Sequence, residues 1–473
     1  MYRKPPVLHK EEVWKMKMLK TGSGEAFFTE NLFFYKRFFS LMVMVLLQNI
    51  AAYTVNMADN IMLGNYSQNS LSAAAAVNQI FFIVQQIALA VGEGFIVIGS
   101  QYWGQKRTEP LCHLAGTALK TGMFFGIAIA AGCSAFPQAI MELFTKDPAV
   151  TAQGMEYMVI LKYTFVLFII TNVLLAVLRC VETVKISIFA SFITLLINIC
   201  GNYLLIYGNW GFPRLGIRGA GIATLIARIG ELAIVLVYIF KFDTKIKLTV
   251  RKILKTDRSL RRDYIKVEIP VMLSQLLWAV AVPLQTALLG HMSSEAMAAN
   301  SIATTFYQYL KVIVMAVSSA SAVMIGSAVG SGDREKVRSE ARTLSVFDAG
   351  IGVILGSALF LLKEPLLGLY SLTENTRTLA SQMMTVMSIV MAGMSYQMPV
   401  SSGILRGGGD TGFFMMMNLI CTWGVVIPLS FIGVFWWHCS AVETVILIQS
   451  DQIFKVVPVF LRFCSYKWIK RLA

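Results

Sequence analysis

The chain has 473 residues, 56% of them hydrophobic and only 14% charged, with a mean hydropathy of +0.65. A soluble globular protein carries about 25% charged residues, so that class is excluded. The net charge of +15 invites a nucleic-acid partner, but the placement of that charge along the chain points to a lipid bilayer instead.

Residues 1–37 form a basic N-terminal tail with no apolar stretch followed by a small-residue cleavage site, so they do not read as a signal peptide. Trp14, Met18 and the lysines around them fit a short interfacial helix or a solvated tail equally well. Hydrophobic runs of roughly 18 to 25 residues follow, each able to cross ~30 Å of hydrocarbon as a helix. They predict spans 1 to 6 at 38–63, 73–101, 111–144, 155–179, 186–208 and 217–240. Spans 7 to 12 follow at 264–290, 298–330, 341–370, 378–405, 411–436 and 440–463. The alternating ten-residue segments of a barrel do not appear. The expected fold class is all-α integral membrane: twelve transmembrane helices in two six-helix bundles, 38–240 and 264–463. A cytoplasmic linker, 241–263, joins them, its charge continuing to Lys266, and a short tail, 464–473, closes the chain.

Of the 41 Lys and Arg, 31 lie in or beside the two tails, the linker and the loops on that same face. Five (Lys146, Arg214, Arg218, Lys363, Arg377) lie in the opposite loops. The positive-inside rule then puts both termini in the cytoplasm, and the linker also faces anionic headgroups. A multi-pass protein of the cell membrane is expected, working as a monomer without nucleic acid. Most of the seven Cys fall inside spans, Cys133, Cys200 and Cys421 among them, and read as small core residues. Four His without metal spacing, and no phosphate-cradling loop, predict neither an enzyme nor direct use of ATP. No cofactor is expected beyond a coupling ion.

The two halves repeat. Leu63-Gly64 matches Leu289-Gly290, and Leu143-Phe144-Thr145 matches Leu369-Tyr370-Ser371, both at an offset of 226. Leu178-Arg179 matches Leu405-Arg406 at 227, and Glu182-Thr183 matches Asp410-Thr411 at 228. Six helices separate the repeats, so the halves are parallel and related by an axis along the membrane normal, which places a substrate cavity between them.

Asp59, near the outer end of span 1, is the leading candidate for chemistry. An ionised carboxylate among apolar neighbours is costly unless a cation accompanies it, so sodium and proton compete for one group. Asn198 and Asn202, four apart, share one face of span 5, and Thr224 lies about two turns, ~10 Å, into span 6. A carboxylate, two amide oxygens and a hydroxyl at similar depth suit a hard monovalent cation; interhelical hydrogen bonding is the plainer use of the same amides.

The stretches Ala58-Asp59-Asn60-Ile61-Met62-Leu63-Gly64, Gln101-Tyr102-Trp103-Gly104 and Leu405-Arg406-Gly407-Gly408-Gly409-Asp410-Thr411 resemble the multidrug and toxic compound extrusion (MATE) family. So do Asn198-x3-Asn202 and Gly216-Ile217-Arg218-Gly219-Ala220-Gly221-Ile222-Ala223-Thr224, and the likeness covers nearly the whole chain. The resemblance implies a V-shaped pair of bundles that exports drugs or organic cations against inward sodium or protons. It also implies a sodium site at Asp59, Asn198, Asn202 and Thr224, with the carbonyl of Ala220. Some relatives carry Asp where this chain has Asn202. A lipid-linked precursor flippase of related fold and a non-transporting membrane protein are the alternatives. A major-facilitator transporter is disfavoured by the loop Gly104-Gln105-Lys106-Arg107-Thr108-Glu109.

Other polar groups in the spans are less committed. Glu93 reads either as a second titrating carboxylate or as the partner of a basic residue. Lys311 stands at the repeat position of Gln85, as its distant partner or as a snorkelling side chain. Arg228 and Glu231 form an intrahelical pair, and Met383, Met384 and Met415 to Met417 offer packing or an adaptable surface. Some sodium-driven relatives carry acids in spans 7 and 10, where alignment here gives Trp278 and Ser395 with Gln275 and Gln397 as neighbours. Coupling is therefore expected in the first half alone. The mate of Pro270 is Met44, so span 1 lacks a bending proline.

Overall fold

A computed structural model describes residues 28–473 except 256, 291, 369 and 371. Trp14 and Met18 lie outside the described residues, as do Leu369 and Ser371 of one repeat match. The described residues form twelve helices long and apolar enough to cross a membrane. The first bundle holds α1 (Leu32–Tyr66), α2 (Gln68–Gly104), α3 (Thr108–Ala135), α4 (Pro148–Cys180), α5 (Lys185–Leu205) and α6 (Ile217–Phe242). The second holds α7 (Arg258–Leu289), α8 (Glu295–Ser331), α9 (Arg334–Leu367), α10 (Glu374–Leu405), α11 (Thr411–Phe435) and α12 (Ala441–Cys464).

Local chemistry sets where these helices start and stop. The Asp147 carboxylate accepts from Ala149 N at 2.8 Å, ahead of Pro148 in the first turn of α4. Ser293 and Asp333 cap α8 and α9 in the same way, and Ser440 with Glu443 forms a capping box on α12. The predicted third span, 111–144, is two helices: α3 stops at Ala135, Phe136 leaves helical geometry, and Pro137–Glu142 forms a short separate helix. Pro137 lacks the N–H that would continue the ladder. Helix α7 begins at Arg258, inside the predicted linker, because its charged first turns extend the helix beyond the apolar stretch. The remaining linker is ordered against the first bundle: Ile246 and Leu248 are buried, and Lys245 Nζ donates to the Val181 carbonyl at 2.7 Å.

In α2 and α8, 78% and 83% of the apolar window is buried, against half or less in the other ten helices, so these two are innermost. They cross at the ends nearest the linker. A Cβ on Gly104 would collide with the Ser327 backbone, and one on Gly330 with the Gln101 backbone. Both pairs are repeat mates at 226, Gly104 with Gly330 and Gln101 with Ser327, so an approximate two-fold axis runs through the crossing. Residues 465–473 strap this region: Gln101 donates to Lys470 O at 3.0 Å and accepts from Leu472 N at 2.7 Å, and Trp468 is fully buried. Met383 and Met384 pack in the core of the second bundle, as their packing reading requires.

Candidate functional site

Four helices of the first bundle bring polar side chains together about two turns from the ends opposite the linker. Asp59 stands seven residues before the end of α1, and Asn198 and Asn202 face it from the last turns of α5. Asn202 Nδ2 donates to Asp59 Oδ1 at 2.5 Å and to Asn198 Oδ1 at 3.2 Å. Asn198 Nδ2 donates in turn to Thr224 Oγ1 at 3.2 Å. Asn198 and Asn202 are wholly buried, and Asp59 and Thr224 are 7% exposed. Ala220, also fully buried, lies one turn from Thr224 on the same face of α6; within that helix its carbonyl accepts the Thr224 N–H and keeps one lone pair.

Sequence reasoning missed Tyr157 of α4, which is buried beside Thr224 and packs on Gly221. Its depth was the available signal, since nine residues from the outer start of α4 match the seven residues that place Thr224 in α6. The Arg228–Glu231 pair is intrahelical as expected, at 2.8 Å.

The donor set fits a hard cation on an observation of its own. Asn202 Oδ1 is buried without a hydrogen-bond partner among the described residues. A carboxylate, an unused amide oxygen and a hydroxyl are the oxygen ligands such an ion takes. Among the described residues no cluster of three His, Cys, Asp or Glu suits a transition metal.

The remaining candidates lie elsewhere. Glu93 of α2 takes the basic-partner reading: Arg406, just beyond α10, donates to it at 2.5 Å, and Arg179 of α4 stands 3.7 Å away. Arg179 also donates to Ser319 of α8 at 2.9 Å. Arg179 and Arg406 are repeat mates, and so are Glu93 and Ser319; each half thus reaches across the axis to the other.

Lys311 sits over the Trp278 ring at 4.6 Å, and Gln275 lies one turn before that Trp, half-buried. Gln397 donates to Gln452 of α12 at 2.7 Å, and Ser395 is buried against Gly352 of α9. Both therefore belong to the interior of the second bundle.

That bundle also holds charged groups the sequence reading passed over. Asp451 and Lys455 pair at 2.7 Å and bind Thr422 and Asn418 of α11, a four-residue helical spacing visible in the sequence. Glu268, over Gly94 of α2, and Asp348 of α9 are buried, and none of their four carboxylate oxygens has a hydrogen-bond partner among the described residues. Neither aligns with a position where the resemblance implied an acid.

Comparison with known proteins follows the same division into halves. A family model described as MatE matches residues 45–204 and 270–432. The probable multidrug resistance protein NorM of Thermotoga maritima is 24% identical over 90% of this chain and 91% of its own length. The Bacillus subtilis transporter YisQ is 21% identical over 98% of this chain and 99% of its own. A crystal structure of a mutant of the Vibrio cholerae MATE transporter VcmN superposes with a TM-score of 0.83 at 19% identity, covering 93% of this chain and 98% of that one.

Proposed function

Because this chain belongs to the multidrug and toxic compound extrusion (MATE) family, we propose that it is a cation-coupled antiporter exporting drugs or other amphipathic molecules, with Asp59 as its coupling group. The observation that carries the reading is the buried set around Asp59, in which a carboxylate meets neutral side chains and one amide oxygen has no partner. Sodium, with proton competition, is the ion this set suits. Asp59, Asn202 and Thr224 would hold it through side-chain oxygens, with Asn198 orienting both Asn202 and Thr224.

Alternating access follows from the two-bundle layout. The α2–α8 crossing, the Glu93–Arg406 pair and the C-terminal strap hold the bundles together on the face that carries the termini. The positive-inside rule assigns that face to the cytoplasm of a cell membrane. With it closed, the Asp59 set stands on the side from which external sodium arrives. Occupancy of the site by a cation favours one arrangement of α1 against α5 and α6, and replacement by a proton another.

Reconstituted vesicles test the reading directly. A sodium gradient at fixed pH should drive uptake of a fluorescent drug panel, and Asp59→Asn, which keeps shape without charge, should reduce the flux to that of empty vesicles. Transport indifferent to sodium at fixed pH would leave the proton as the coupling ion. Wild-type rates in the Asp59→Asn variant under both gradients would remove Asp59 from coupling altogether.

A further inference from the structure

The second bundle carries a charge of its own at its boundary with the first. Lys311 lies 16 residues from the start of α8 and 20 from its end, ~24 Å and ~30 Å along the helix. A four-carbon stem spans neither distance. The ammonium instead lies 4.6 Å from the centre of the Trp278 ring of α7. Trp278 meets Phe82 of α2 across the bundle boundary, with ring centroids 5.7 Å apart. Phe82, Trp278 and Lys311 are all half-buried although each stands well inside its helix, as the lining of a cleft would be.

Lys311 has no carboxylate within ion-pair distance among the described residues. The acid whose field reaches it is Asp451, and that carboxylate is already held by Lys455 at 2.7 Å. Lys311, Lys455 and Asp451 together leave one positive charge at this depth. The repeat mate of Lys311 is the neutral Gln85, so the first half does not offset it. An ionisable side chain inside a membrane is expensive to maintain and marks a substrate or ion path. An unmatched ammonium repels an organic cation and attracts an anion, while the adjacent indole and phenyl rings accept a flat apolar body.

We propose that Lys311 binds the carboxylate of an aromatic substrate whose ring lies against Trp278 and Phe82, so that aromatic acids and zwitterions, rather than organic cations alone, are the exported class. The proposal rests on reading the chain as an exporter with its cleft between the bundles, but its test needs no ion gradient. Purified protein in nanodiscs would be titrated with 2-naphthoate, the neutral 2-naphthamide and 2-naphthyltrimethylammonium, following tryptophan fluorescence. Wild type should bind the carboxylate at least tenfold more tightly than the amide, and the cation most weakly. Lys311→Met should abolish that discrimination while keeping amide binding, which reports an intact cleft; Lys311→Arg should preserve it. Equal binding of the three probes by wild type, or undiminished carboxylate preference in Lys311→Met, would overturn the proposal. A drug flux that fails under every gradient, with the binding preference intact, would count against the antiporter reading and leave the anion site standing.

Discussion

Asn202 donates to Asp59 and to Asn198 and leaves its own buried oxygen without a partner among the described residues. A buried polar atom without a partner costs about 1–3 kcal/mol, and a bound cation removes that cost. Asn202→Ala should therefore raise the sodium concentration for half-maximal transport about tenfold, the equivalent of about 1.4 kcal/mol, with little change in thermal stability. A lowered melting temperature with unchanged sodium dependence would assign the amides to helix packing instead. Asp59, Asn198, Asn202 and Thr224 were legible in the sequence because one periodicity and a count of depth from the helix ends bring them together. Tyr157 obeys the same count but has no partner at helical spacing to draw notice. Glu268 was hidden by its position, in the opening turns of α7 where charged residues are ordinary. Asp348 lies mid-helix, and only the packing of α9 against its neighbours shows that its carboxylate is unmatched.

Among the elements, α2 and α8 decide how the halves meet. Ser100-x3-Gly104 and its mate Gly326-x3-Gly330 are small-xxx-small patterns that let two helix backbones approach closely in a membrane. Both were readable in the sequence, but they identify their partner only after the repeat offset is applied to both helices at once. Gly330→Leu should prevent closure on the face with the termini, since the added side chain meets the Gln101 backbone rather than a movable side chain. Spin labels placed on the two bundles near that face should then report a longer mean separation than in wild type; an unchanged distance distribution would show that the crossing yields. Helix α1 runs without interruption and without proline from Leu32 to Tyr66. A proline-centred bend is thus unavailable to it, and under the proposed coupling Asp59 would act through bundle rocking or a bend elsewhere. The span boundaries were legible to within a few residues because hydrophobicity marks them. The break at Pro137 was not, because Phe136 and the residues around it stay apolar across the interruption.

At the scale of the whole molecule, contacts between the halves join residues more than a hundred positions apart, and no periodicity in the chain reports them. Arg406 and Glu93 are separated by 313 residues, Arg179 and Ser319 by 140. The repeat supplies what periodicity lacks, because it makes Arg179 and Arg406 each other's control. They present the same guanidinium from matched positions on opposite sides of one axis, and differ in whether the acceptor is the neutral Ser319 or the charged Glu93. Both donors are charged, but only Arg406 donates to an opposite charge. Removing one partner of a buried ion pair costs about 3–5 kcal/mol, against about 1.5–3 for a hydrogen bond with one charged partner. Arg406→Met should therefore open the face with the termini roughly tenfold more than Arg179→Met does, read as the ratio of open to closed inter-bundle distances in the two variants. Equal effects would mean that Arg179, 3.7 Å from Glu93, carries as much of its charge as Arg406 does. Ser319→Glu would give both arms the same acceptor and erase the difference. A duplicated chain thus contains, in one polypeptide, a matched pair of measurements that a single-copy fold would need two proteins to provide.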